Sequence, residues 1–181
     1  MLTVVIPAAE GFDEERSMFL YYKEQKLTLE HSLVSISKWE SKWNRPFLNT
    51  EKSAEETIDY IRCMTLTQNV PEDVYYRIPP DVIDKITKYI DAPMTATTFS
   101  ELDNDGRKRN REVVTSELIY YWMIAAQVPF ECQKWHINRL LTLLRVCSVK
   151  NAPPKKMGKN KISKMYADLN EKRRRKLGTK G

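Results

Sequence analysis

Cys132 and His136 stand four residues apart inside Val113–Cys147, VVTSELIYYWMIAAQVPFECQKWHINRLLTLLRVC, the longest strongly apolar stretch of the chain. That stretch holds two of the four tryptophans, two of the three cysteines and one of the two histidines. On a helix a spacing of four is about one turn, so a thiol and an imidazole would converge on one point. This is the arrangement of half a zinc site or of a thiol–imidazole dyad. A structural zinc needs four ligands, and the remaining donors of that kind are Cys63, Cys147 and His31, none at CxxC or HxxxH spacing. Buried thiols are ordinary core residues, and a histidine among tryptophans ordinarily makes a satisfied hydrogen bond. Cys132 and His136 are therefore expected in the core, with no catalytic, cofactor-binding or metal site.

Other spacings carry less. Glu101, Asp103, Asp105, Gly106 and Glu112 fall at calcium-loop positions, but the first ligand is Glu, Lys108 fills the apolar slot, and Arg107, Arg109 and Arg111 would repel a cation. A charged loop is expected there. Glu30-His31-Ser32 places a base beside a hydroxyl, yet chain neighbours rarely face each other, so His31 is expected to pack or to help Ser32 cap the next helix. Five glycines leave none for a phosphate-binding loop. Glu14-Glu15 and Glu55-Glu56 read as surface and first-turn charges.

Several elements must position these residues. Leu2 to Pro7 is a β-branched run, AAEGFDEERS an acidic turn, and Met18 to Leu29 two short strands around KEQK. Leu33, Ile36, Trp39 and Trp43 recur at helical spacing after Ser32, an N-cap, although Val34-Ser35-Ile36 could instead prolong the strand. Ser53-Ala-Glu-Glu56 is a capping box before Ile58, Ile61 and Met64. Pro80 opens another helix with Val82, Ile83, Ile86 and Ile90 as its stripe, and residues 94–99 suggest a short strand. Residues 112–127 are apolar on almost every side, which predicts a central helix with neighbours all round. Val128-Pro129 breaks it, and a second helix is expected from Pro129, with Ile137, Leu140, Leu141, Leu144 and Cys147 facing inward. The expected fold is mostly α with a small N-terminal antiparallel β element (α+β), its helical core built on that central pair. The expected divisions are a β-hairpin or meander over 1–31, a helical core over 32–150, and a linker with a basic amphipathic helix over 151–181.

Charge separates the last segment from the rest. Of the net +6, residues 155–181 carry eleven Lys or Arg against two acidic residues, a net of +9, which leaves −3 for residues 1–154. Ile162, Met165, Tyr166 and Leu169 form a helical stripe leading into Lys172, Arg173, Arg174, Arg175 and Lys176, with Gly178 as a stop. Such a helix suits a partner's groove, an acidic partner or nucleic acid. Against nucleic acid, only Tyr166 interleaves an aromatic with the cations. No run is long enough for a membrane span, the start lacks a signal-peptide pattern, and three dispersed cysteines suggest reduced thiols of an intracellular protein.

LTLEHSLVSISKWESKWNRPFL at 27–48, IYYWMIAAQVPFECQKWHINRLLTLLRVC at 119–147, NAPPKKM at 151–157 and LGTKG at 177–181 together resemble a family of small proteins from tailed bacteriophages and prophages. That family is similar to the tail assembly chaperones encoded between the major tail protein and the tape-measure protein. The resemblance spans nearly the whole chain and brings no catalytic or metal signature. It implies a non-enzymatic tail morphogenesis protein in the cytoplasm of a bacterial host, binding tape-measure or tail-tube proteins, with a homo-oligomer compatible. Two other readings stay open. One is a structural component of the virion tail or connector, and the other is a nucleic-acid-binding accessory protein acting through the basic tail.

Overall fold

The computed structural model describes residues 1–13, 17–99, 113–152 and 159–178. The fold is mostly helical with a small N-terminal antiparallel β element, an α+β architecture. The chain divides into two compact units, Met1–Ser148 and Val149–Gly181. No helix among the described residues is long and apolar enough to cross a membrane. The loop 101–112, with its calcium-like spacing, lies outside the described residues.

The β element differs from the expected hairpin around KEQK. β1 (Leu2–Ile6) pairs antiparallel with β4 (Gln25–Leu29), Leu2 opposite Leu29 and Ile6 opposite Gln25. β2 (Ala9–Asp13) pairs with β3 (Met18–Tyr22), Ala9 opposite Tyr22 and Asp13 opposite Met18. Both ladders keep one register, so they are the root and the outer half of a single long hairpin, interrupted at Pro7-Ala8 and Lys23-Glu24. Proline has no N–H for the ladder, which accounts for a break at Pro7. KEQK lacks the Gly or Asn that a tight hairpin turn needs. AAEGFDEERS is accordingly not all turn, since Ala9–Asp13 is strand. Val4, Ile6, Leu27 and Leu29 alternate onto one buried face, and that burial holds the register.

The helices begin where their caps stand. Ser32 and Ser35 exchange capping bonds at the start of α1 (Leu33–Trp43), and Asn44 ends it in the left-handed conformation with φ 51°. Ser53 and Glu56 do the same for α2 (Ala54–Met64). The two helices share a polar seam, in which Trp39 Nε1 donates to Glu56 O at 3.0 Å and Trp43 Nε1 to Asp59 Oδ2 at 2.9 Å. Burial opposes the charge on Asp59, but hydrogen bonds from Lys42 and Trp43 outweigh it and hold the carboxyl below its ordinary range. A short α3 (Asp73–Tyr76) precedes α4 (Pro80–Asp91), which buries Val82, Ile86 and Tyr89. Residues 94–99 form no strand.

Two expectations for the central pair are corrected. α5 (Ser116–Ala125) buries Ser116, Ile119 and Met123 but leaves Tyr121 and Ile124 exposed, so it has neighbours on one side only. The second helix does not start at Pro129. A 3-10 turn, Phe130–Lys134, is followed by extended backbone at Trp135, and α6 runs Ile137–Asn151. The backbone bridge between Ser32 and His136 draws the chain straight there.

Glu40 joins these parts. Its Oε1 accepts from Phe47 N at 2.8 Å, and its Oε2 accepts from Ser116 N at 2.7 Å, the first residue of α5. The carboxylate is buried and sits at a helix N-terminus, where negative charge is favoured. Glu40→Ala, which strands two buried N–H groups, is expected to lower unfolding stability by about 3 kcal/mol, and Glu40→Gln by about half of that. Urea denaturation followed by circular dichroism measures both.

Candidate functional site

The chemistry-bearing residues meet where the extended chain after β4 runs beside the start of α6. Ile137 N donates to His31 O at 2.8 Å, and this backbone pairing sets the two imidazoles side by side, their ring centroids 5.0 Å apart. His31 Nδ1 is hydrogen-bonded to Tyr60 Oη, and Phe47 packs 6.2 Å from the His31 ring. Ser35 Oγ, which donates to Ser32 O at 2.8 Å, lies 3.3 Å from the same tyrosine oxygen. On the other side, His136 Nε2 meets Tyr89 O at 2.9 Å, and His136 Nδ1 lies 3.3 Å from Asn138 N. The partner at Nε2 is a carbonyl and the partner at Nδ1 is an N–H. The pattern therefore belongs to the Nε2–H tautomer, with Nδ1 capping the first turn of α6. Tyr89 Oη donates to Glu30 Oε1 at 2.6 Å, and Glu30 Oε2 lies 2.8 Å from the amino nitrogen of Met1.

This cluster of Glu30, His31, Tyr60, Tyr89 and His136 was not visible as a set in the sequence, because its members span more than a hundred residues and no local spacing joins them. Its environment decides what it can do. His31 is 3% exposed, and burial, helped by His136 and then Lys52, lowers its pKa to about 3. A base that weak and that enclosed neither reaches a substrate nor holds a proton near neutrality. Burial raises the tyrosines at 60 and 89 well above the usual phenol range, so both stay protonated donors. The cluster is internal wiring that ties β4, α1, α2, α4 and α6 together.

Cys132 lies buried in the 3-10 turn and His136 caps α6, so the pair does not share a helix as the spacing suggested. All three cysteines are free thiols. Burial first, and then Asp59, pushes the Cys63 thiol up, which suppresses its thiolate. Among the described residues, no three His, Cys, Asp or Glu side chains are placed to hold a metal ion. Ser32 and Ser35 form the capping box, and His31 packs beside it, as expected for Glu30-His31-Ser32.

The residues expected to bind a partner lie on α7 (Lys159–Leu177). Tyr166, Leu169, Lys172, Arg173, Arg174, Arg175 and Lys176 are exposed, while the side chains of Ile162 and Met165 lie outside the described set. Arg175 pairs with Glu171 one turn back at 2.6 Å, and Gly178 ends the helix with φ 64°. The sequence reading passed over two further apolar surfaces. One is Tyr121, Ile124 and Phe130 around α5, and the other is Phe12, Met18, Phe19 and Tyr21 on the outer hairpin. The uncharged run MFLYY was the available signal for the second.

His31 links stability to pH. Its folded pKa of about 3 lies below the unfolded value of 6.5, so the unfolded chain binds the proton first. Stability from this group is complete above pH 6.5 and is lost as pH falls toward 3, at up to about 1.4 kcal/mol per unit. Wild-type protein is expected to lose stability more steeply than His31→Asn between those limits. Urea titrations of both proteins at stepped pH measure the difference, which cancels the carboxylates common to both.

No protein-family model, no curated protein and no solved structure matches this chain.

Proposed function

We propose that this chain is a non-catalytic phage tail morphogenesis protein, similar to the tail assembly chaperones, that binds the tape-measure protein, the tail-tube protein or both. The phage assignment rests on the sequence resemblance. The observation that carries the binding mode is α7, where exposed Tyr166 and Leu169 stand three apart on a 19-residue helix and exposed Lys172, Arg173, Arg174, Arg175 and Lys176 follow. A helix with apolar anchors at that spacing suits a partner's groove, and a block of cations speeds encounter with an acidic partner. The wired interior and the exposed helix divide the work between a stable body and an adhesive end. In this reading the protein acts in the bacterial cytoplasm, and a permanent place in the virion tail is the variant of it.

Co-expression with the tape-measure and tail-tube proteins, followed by size-exclusion chromatography, is expected to give a complex with at least one of them. Tyr166→Asp with Leu169→Asp is expected to weaken that complex about tenfold or more, the loss of roughly two apolar anchors. No complex with either protein, or one indifferent to both substitutions, overturns the reading. Mass spectrometry of purified particles separates a transient chaperone from a virion component.

The run of five cations favours a second reading, contact with nucleic-acid phosphates. It requires random-DNA binding that weakens steeply between about 50 and 200 mM salt. Changing Arg173, Arg174 and Arg175 to Gln is then expected to reduce the salt slope by about three. Binding with an unchanged slope removes this reading.

A further inference from the structure

The outer half of the hairpin presents apolar side chains where a free-standing ribbon would need polar ones. Phe12, Met18, Phe19 and Tyr21 are 55%, 48%, 64% and 73% exposed. Phe12 and Phe19 already stack edge to face, centroids 5.2 Å apart, on the face they share with Glu10 and Tyr21. By period-two count, that face is in phase with Val4, Ile6, Leu27 and Leu29, which the body covers at the root. The apolar pattern therefore continues beyond the part of the ribbon that its own body buries. The opposite face is better held. Leu20 and Tyr22 are half-buried, Arg77 lies over the Tyr22 ring at 4.1 Å, and Tyr22 fills the space above Gly11.

The two edges of this ribbon are not alike. β2 carries Glu10 and Asp13, charges of the kind that discourage another strand from pairing. β3 is Met18-Phe19-Leu20-Tyr21-Tyr22, with no charge, no proline and no glycine, and among the described residues its outer edge has no strand partner. An edge of that composition is a template for a further strand. Two strands alone are marginal in water, and three or more with an apolar face are needed for independent stability.

We infer that the outer edge of β3 is a self-association site, pairing antiparallel with β3 of a second copy of this chain about a two-fold axis through Leu20. The strand is self-complementary in that register. Phe19 stands opposite Tyr21 of the second copy, Met18 opposite Tyr22, and Leu20 opposite its own equivalent. A two-fold perpendicular to the sheet keeps each residue on its own face, so Phe12, Phe19 and the second copy's Tyr21 make one continuous aromatic row. The product is a four-stranded sheet ordered β2-β3-β3-β2, whose new outer edges are the charged β2 strands. Pairing therefore stops at two copies instead of growing into a fibre, as a closed isologous interface should. An uncharged edge fits a second uncharged edge better than a charged strand, which is why the occupant is another copy. The site is independent of whatever α7 binds.

Light scattering coupled to size exclusion, on the full chain across a concentration series, is expected to show a monomer–dimer equilibrium. Phe19→Lys with Tyr21→Lys places like charges opposite one another in the paired register and is expected to weaken dimerisation about a hundredfold. Both side chains are exposed, so the thermal unfolding of the body should not move. Glu10→Lys, on the edge that pairing leaves outermost, is expected to leave the dimer intact. Hydrogen exchange on the unsubstituted protein should show protection over Met18–Tyr22 that grows with concentration. A monomer at every concentration overturns the inference. So does a dimer that survives the double substitution, one lost equally in Glu10→Lys, one dissolved by salt alone, or protection confined to other segments.

Discussion

The extended run Thr28–Ser32 is held by backbone hydrogen bonds on more than one side, and the body is assembled on it. Its β4 portion pairs with β1 through Leu2 and Leu29. The segment after α2 closes on it, with Leu66 N donating to Thr28 O at 2.8 Å and Glu30 N to Met64 O at 2.9 Å. The start of α6 closes on its end through the Ile137–His31 bond. Buried backbone groups must be paired, so a chain segment this enclosed forces three distant parts of the sequence into fixed register around it. Leu27 and Leu29 then enter the core, Ser32 starts α1, and Glu30 and His31 are carried inside with the backbone whatever their polarity.

That constraint explains why so many polar groups are buried and why nearly all are satisfied locally. Glu40, Glu56 and Asp59 each accept from N–H groups or cations across an element boundary, and His31, Tyr60, Tyr89 and His136 complete one another. Each such group costs free energy if its partner is lost, so together they specify one arrangement of the helices more sharply than apolar packing alone. The same enclosure keeps them from solvent. Reactive residue types therefore accumulate in the core while the exposed surfaces carry aromatics and cations.

The exposed surfaces are of two characters. α7 combines Tyr166 and Leu169 with a block of cations, and the outer hairpin combines an uncharged strand with exposed aromatics. Water-facing apolar side chains at such positions contribute nothing to the fold described here, and in a body otherwise well wired they point to association. An assembly protein needs this pairing of a rigid interior with separate adhesive ends, one charged and one apolar.

The sequence by itself determined the α+β class and the starts of α1, α2 and α4, as well as the end of α7. Ser32, Ser53, Pro80 and Gly178 act on N–H and C=O groups within a few residues, so their effect is local and readable. It also showed that no metal-ligand spacing joins the three cysteines. Tertiary structure decided that Leu2 pairs with Leu29 instead of a hairpin forming at KEQK, and that Trp135 and His136 are extended instead of helical. It likewise decided that α5 has an open side. Each of these turns on contacts between residues far apart in the chain, 31 with 137 or 40 with 116, whose free energy comes from burial and from pairing buried N–H groups. Spacing along the chain carries no record of which distant segment supplies that partner, and so the histidine cluster and the ribbon register became visible only once the chain was folded.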